Sequence, residues 1–207
     1  MNRILASALG VASLGVALTL GAAPIVAQQA DSNAAAVQAG SYALDSSHTL
    51  VRFTVDHFGI SEFFGTLPGA SGTLSLDPKA LASARLDVSV PVASVSTTNK
   101  TLDEELVSAD WFDAAQYPVM RFVSTKVVKT GASTADVTGN LTLHGVTRSV
   151  TLKATFKAAN VNPMKKVYTL GFNAVGTIKR TEFGVSKYAP LVSDETQIAI
   201  TAAFEKQ

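Results

Sequence analysis

From Ser41 almost to its end the chain alternates apolar and polar residues, and a period of two rules out a helical bundle. Val51, Phe53, Val55 and His57 share one face, with Arg52, Thr54 and Asp56 on the other. Gly72, Leu74 and Leu76 repeat the pattern up to the turn signal Asp77-Pro78. Ala84, Leu86, Val88, Val90 and Val92 form the cleanest stripe. Met120, Phe122 and Ser124 follow, then Val137 to Leu143, then Val150, Leu152, Ala154 and Phe156. After an Asn162-Pro163 loop come Tyr168, Leu170, Phe172 and Ala174, and Ile198, Ile200, Ala202 and Phe204 close the chain. Strand-like runs with one apolar face and short turns predict an all-β fold, an antiparallel barrel or sandwich.

One stretch breaks the alternation. NKTLDEELVSADWFDAAQYP, from Asn99 to Pro118, has Leu102 and Leu106 four apart and Asp103, Glu104 and Glu105 near its start, so a helix is expected there. Those acids read as a solvated helix start, and Ser108 or Asp110 could cap a second short turn holding Trp111 and Phe112.

In GNLTLHGVTRSVTL, Gly139 to Leu152, the inward positions change parity: Leu141 and Leu143 are odd, Val150 and Leu152 even. A tight connection between paired strands produces that change, with Gly145 supplying the permissive backbone. His144 then stands at a hairpin corner, hydrogen-bonded to backbone, since no adjoining motif offers a nucleophile or an orienting carboxylate.

The N-terminus, MNRILASALGVASLGVALTLGAAPIVA, has one basic residue, Arg3, then an apolar run and small residues, with no acid before Asp31. This is the layout of a secretory signal peptide, with cleavage expected after Ala27 and a periplasmic destination. The alternative, an uncleaved anchor, is disfavoured by the many small residues and Pro24. Residues 28–40, QQADSNAAAVQAG, read as a flexible leader to a domain spanning 41–207. The chain has no cysteine, so disulfides and a lipid-modified N-terminal cysteine are both excluded. Without Arg3 the balance is sixteen basic to sixteen acidic residues, which argues against nucleic acid or an anionic membrane surface as main partner. No later stretch is apolar and long enough to span a bilayer as a helix, so no stable membrane insertion is expected after processing.

Catalytic patterns are absent. There is no G-x-S-x-G elbow, no Gly-rich phosphate loop before a helix, and neither an H-x-H nor an H-x-x-x-H pair, so no catalytic residue, cofactor or metal is assigned. His48 and His57 read as polar groups at the two ends of a strand.

Four segments, in order, resemble the YceI family of exported, lipocalin-like proteins: YALDSSHTLVRFTVDHFG, SADWFDAAQYPVMRFVST, LTLHGVTRSVTL and GTIKRTEFGVSKY. The resemblance runs from about Tyr42 to Phe204. Two departures stand out: Thr49 follows His48 where the family often has Ser, and Glu105 precedes Leu106 where members often carry a histidine. The resemblance implies an extended antiparallel lipocalin-like β-barrel with a short helical insertion, an apolar cavity that takes a long isoprenoid or similar chain, and a possible homodimer. Moderate inward side chains such as Val88, Val90, Val92, Leu141 and Leu143 would leave room for such a tail. The expected lining is Phe53, Val55, His57, Phe63, Val88, Val90, Trp111, Phe112, Phe122, Leu141, Leu143, Phe172 and Phe183. At the mouth, donors for a headgroup are expected from Lys179-Arg180 and His57, Arg180 first because its planar fork suits phosphate. The expected function is isoprenoid carriage, storage or sequestration without turnover. The alternatives are an enzyme using His57 or His144 as acid/base, and a quinone-handling partner of a membrane redox complex.

Overall fold

The computed structural model describes residues 30–207, so the expected signal peptide lies outside the described residues. Ten strands follow in chain order: β1 Gly40–Leu44, β2 Leu50–His57, β3 Ser61–Leu67, β4 Ser71–Leu76, β5 Arg85–Pro91, β6 Val119–Lys129, β7 Thr134–Leu143, β8 Val146–Val161, β9 Tyr168–Lys179 and β10 Glu195–Lys206. One helix, α1 Lys100–Leu106, interrupts them between β5 and β6. β1 pairs with β4, pairing continues through β5, β6, β7, β8, β9 and β10, and β10 returns to β1, closing an antiparallel ring of eight strands. β2 continues β1 past a corner at Ser46–His48 and pairs with another stretch of β10, while β3 folds back on β2. The predicted all-β antiparallel barrel with a helical insertion is therefore the observed fold.

The stripes read from the sequence face inward. Register shifts at Ser124/Lys126 and Phe156/Ala158 switch parity within β6 and β8. Such bulges let long strands bend around a closed barrel. Two buried clusters form at opposite ends. At one, Tyr42, Leu74, Leu76, Val127, Phe156, Leu170 and Phe204 pack together. At the other, Phe53, Leu67, Val90, Leu106, Trp111 and Val185 do so.

Over its described part, from residue 30 on, the segment read as a flexible leader at 28–40 is fastened to the barrel. Asp31 pairs with Ala159 of β8, Asn33 caps a short 3-10 turn at Ala34–Ala36, and Val37 is buried in the first cluster. The Tyr42 hydroxyl donates to the Gln38 carbonyl, and burial, helped by Tyr168, pushes that phenol up to about 12. One buried apolar side chain and a strand bridge fasten a stretch whose composition carries no periodicity.

The corner between β1 and β2 is held by one carboxylate. Asp45 is buried and accepts from the Ser47 amide at 3.0 Å, from His48 Nδ1 at 2.7 Å and from Lys165 Nζ at 3.1 Å. Lys165 also reaches Glu205 of β10 at 2.7 Å. Burial alone would raise the Asp45 pKa, but these donors outweigh it and bring it to about 2. A carboxylate below its unfolded value stabilises the fold above that value, about 3.9, and the contribution is lost as pH falls through about 2. Asp45→Asn is therefore expected to lower stability at pH 7 by up to about 2 kcal/mol, because Lys165 and His48 are partly exposed. Denaturant midpoints from pH 7 to pH 2 check this: the gap between variant and wild type should close on acidification, and a gap that persisted at pH 2 would contradict it.

α1 is shorter than the helical spacing predicts. Asn99 caps it, accepting from the Leu102 amide at 3.4 Å, and helix ends after Leu106. Beyond it the Ser108 carbonyl takes the Trp111 amide at 3.1 Å, and Asp113, at φ 46°, turns the chain towards Pro118. The acids are not simply solvated. Asp103 accepts from the Thr97 amide at 2.6 Å and its hydroxyl at 2.7 Å, and Glu105 accepts from Trp111 Nε1 at 3.0 Å. Glu104 alone stays on the surface, paired with Lys100.

Candidate functional site

Between the two end clusters the barrel is hollow. A cavity of about 520 Å³, within the range of small-molecule sites, runs through it. Its wall includes Val51, Phe53 and Val55 of β2, Leu86, Val88 and Val90 of β5, Met120 and Phe122 of β6, and Leu141 and Leu143 of β7. Phe172 and Ala174 of β9, and Ile198, Ile200 and Ala202 of β10, complete the far side. Many of these inward residues, among them Val51, Val88, Phe122, Leu141, Phe172 and Ile200, are only half-buried, which a filled core would not allow. The interior is open, a point that parity alone leaves undecided.

Glycines shape the wall. At Gly139 of β7 a Cβ would fall 2.5 Å from Phe122 Cζ and 2.6 Å from the Val123 carbonyl oxygen, so the glycine lets the Phe122 ring lie flat along the sheet. Gly139→Ala is expected to cost about 2 kcal/mol, because both ring and backbone must shift. Thermal unfolding checks it, and an unchanged midpoint would show that the ring is not seated there.

All the expected lining residues except Phe183 border the cavity. Phe183 is buried away from it, in the 3-10 turn Arg180–Phe183. Its carbonyl meets His144 Nδ1 at 3.1 Å, so the hairpin corner is tied to backbone as its sequence predicts. His144, at φ 50°, and Gly145, at φ 73°, make the two-residue turn between Leu143 and Val146, and a Cβ at Gly145 would strike the Tyr117 ring at 2.5 Å. His57 ends β2 at the exposed edge of the cavity and meets Phe58 edge-on at 4.2 Å.

Arg180 borders the cavity but is not the free fork expected at its mouth. It is buried, with Nε on the Ser193 carbonyl at 2.9 Å, Nη1 on that of Val185 at 2.7 Å and Nη2 on that of Val192 at 2.7 Å. Its guanidinium lies 5.5 Å from the centre of the Trp111 ring. Burial lowers its pKa, against the pull of nearby Asp194. Three of five donors already hold one loop, so Arg180 ties residues 185–193 across the barrel end. Lys179, beside it, pairs in the sheet with Glu195 and is exposed.

The expected lining omitted Thr49, Glu105, Tyr188, Val192 and Thr196, which also border the cavity. Ile198 and Ile200 were visible as a stripe, whereas the 185–193 loop has no period to read. His48, His57 and His144 lie apart, and among the described residues no group of three or more metal-ligating side chains comes together. Thr49, Glu105, Arg121, Arg180 and Thr196 at the wall are hydrogen-bonded within the fold, and among the described lining residues none is paired as nucleophile and base. What the cavity offers is apolar enclosure.

A model of the YceI-like domain matches residues 42–204. The chain belongs to the YceI-like domain family. It is similar to a UPF0312 protein of Pseudomonas savastanoi pv. phaseolicola, 38% identical over 176 residues that cover 84% of this chain and 88% of that one. Among solved structures, Burkholderia cenocepacia BcnA superposes with a TM-score of 0.70 at 27% identity, over 77% of this chain and 98% of that one. A polyisoprenoid binding domain from Saccharophagus degradans gives 0.61 over 82% of this chain and 100% of that domain, at 14% identity, a likeness of fold alone. The YceI-like match runs from within β1 to within β10.

Proposed function

We propose that this YceI-like protein binds a long-chain isoprenoid or similar amphiphile inside the barrel and carries, stores or sequesters it without turnover. The hollow apolar interior carries this reading: side chains that could have filled the barrel stop short and leave about 520 Å³ open. Each methylene placed there contributes roughly 0.8 kcal/mol, so a chain of several isoprene units binds tightly without a strong polar contact. The fold shared with a polyisoprenoid binding domain supports the ligand class. The leader, with its single Arg3 and apolar run, supports action in the periplasm, and the family resemblance supports pairing of two copies. The sequence supports binding without turnover, because it carries no G-x-S-x-G elbow and no cysteine nucleophile.

The test is uptake of a polyprenol by delipidated protein from detergent micelles, followed by extraction and mass analysis of the recovered lipid. Stoichiometric uptake and recovery of the unchanged alcohol is the expected result. No uptake refutes the binding reading, and a chemically altered lipid refutes the absence of turnover.

A further inference from the structure

The cavity reaches the surface beside the β2–β3 hairpin, where lining residues His57 and Tyr188 are both exposed. The rim there is apolar. Phe58 is 48% exposed, Ile60 83%, Tyr188 53% and Leu191 59%. They form one unit: the Phe58 amide donates to the Leu191 carbonyl at 2.8 Å, and His57 bridges to Val192.

The Ile60 amide closes a two-residue turn on the His57 carbonyl at 3.1 Å, with Phe58 at φ 61° and Gly59 at φ 67°. Such a turn favours Asn, Asp or Gly at its first central position, and a bulky aromatic is disfavoured there. Tyr188, on the facing loop, is also left-handed at φ 59°. Two aromatic side chains are thus held in an unfavourable backbone state while facing water, a combination that points to function.

Charge indicates what covers this rim. Asp56 and Glu62 face each other beside the tip, the neighbouring Lys187 is paired with Asp110, and the exposed Lys179 stands opposite Glu195 in the sheet, so acids are not outnumbered there. No cationic excess is offered to an anionic surface, so the match is to an uncharged, apolar-centred one. A lipid tail leaving the cavity crosses this rim, and in open water each methylene would be hydrated on the way.

We propose that the β2–β3 tip and the Tyr188–Leu191 loop dock on the surface of a neutral lipid bilayer, so that ligand passes between barrel and membrane without crossing water. This rests on the carrier reading, and the two are separated by measuring membrane contact and micellar polyprenol uptake independently. Phe58→Ser/Ile60→Ser is compared with Met164→Ser, which alters a 90% exposed side chain at the other end of the barrel. In flotation with phosphatidylcholine vesicles, wild type and Met164→Ser should rise with the lipid. The double variant should lose roughly tenfold or more in partitioning while its micellar uptake stays unchanged. Tyr188→Ser should weaken flotation in the same direction. Wild type that stays with the aqueous fraction, or a double variant that floats equally well, would overturn the proposal. So would a double variant that differs only by changing from dimer to monomer in sedimentation, since the rim would then be an interface between copies.

Discussion

Val88→Trp is expected to leave the barrel folded and to weaken binding of a long isoprenoid by roughly 100-fold, about 3 kcal/mol. Val88 projects inward from β5 between Gly72 of β4 and Phe122 of β6, and it is only half-buried because open space lies before it. An indole placed there enters that space rather than a packed neighbour, so the overpacking cost should be small. It occupies volume that about four methylenes of a tail would otherwise use, each worth roughly 0.8 kcal/mol. Polyprenol titration of both proteins, alongside thermal unfolding, reads the two effects separately. Unchanged affinity in a folded variant would mean that the tail lies outside the barrel.

Arg180→Met is expected to cost at least about 3 kcal/mol in stability, lowering the melting temperature by roughly 10 °C. Arginine at this position is a knot. Removing it leaves the Val185, Val192 and Ser193 carbonyls without their donor and takes the cation from above Trp111. Charge-assisted bonds to buried carbonyls are among the stronger ones, and an orphaned buried acceptor carries the larger penalty. Arg180→Lys should recover only part of the loss, since one ammonium cannot span three carbonyls arranged around a planar fork. Calorimetry on the three proteins checks the order, and a Met variant melting with wild type would show that the 185–193 loop is held by other contacts.

The two residues illustrate what could be read in advance. Val88 belongs to a five-residue stripe whose alternation follows from the pleat of a single strand, so its inward direction was legible from neighbours in sequence. The same local logic placed His144 at a hairpin corner, because a parity change has few other causes. Arg180 was misjudged because its role depends on the carbonyls of a loop with no period. Its guanidinium was free to serve a ligand only if that loop lay elsewhere. Glu105 was misread for a related reason: its acceptor role exists only once Trp111 folds back beneath α1. Neither closure of the ring nor the void inside it is a property of any one strand. Both follow from the pairing of β10 with β1 and from how far side chains such as Val51, Leu141 and Ile200 reach across. The segment before β1 was missed because its contribution comes from a single buried valine and one bridge to β8.

Native mass spectrometry of the protein, purified from its own cells without detergent and followed by lipid extraction, reads out whether the barrel holds a lipid. One amphiphile per barrel is expected, with a long unbranched or isoprenoid tail that extraction then identifies. A clean unliganded mass that takes up no added polyprenol would contradict it, and the open interior would then need another occupant.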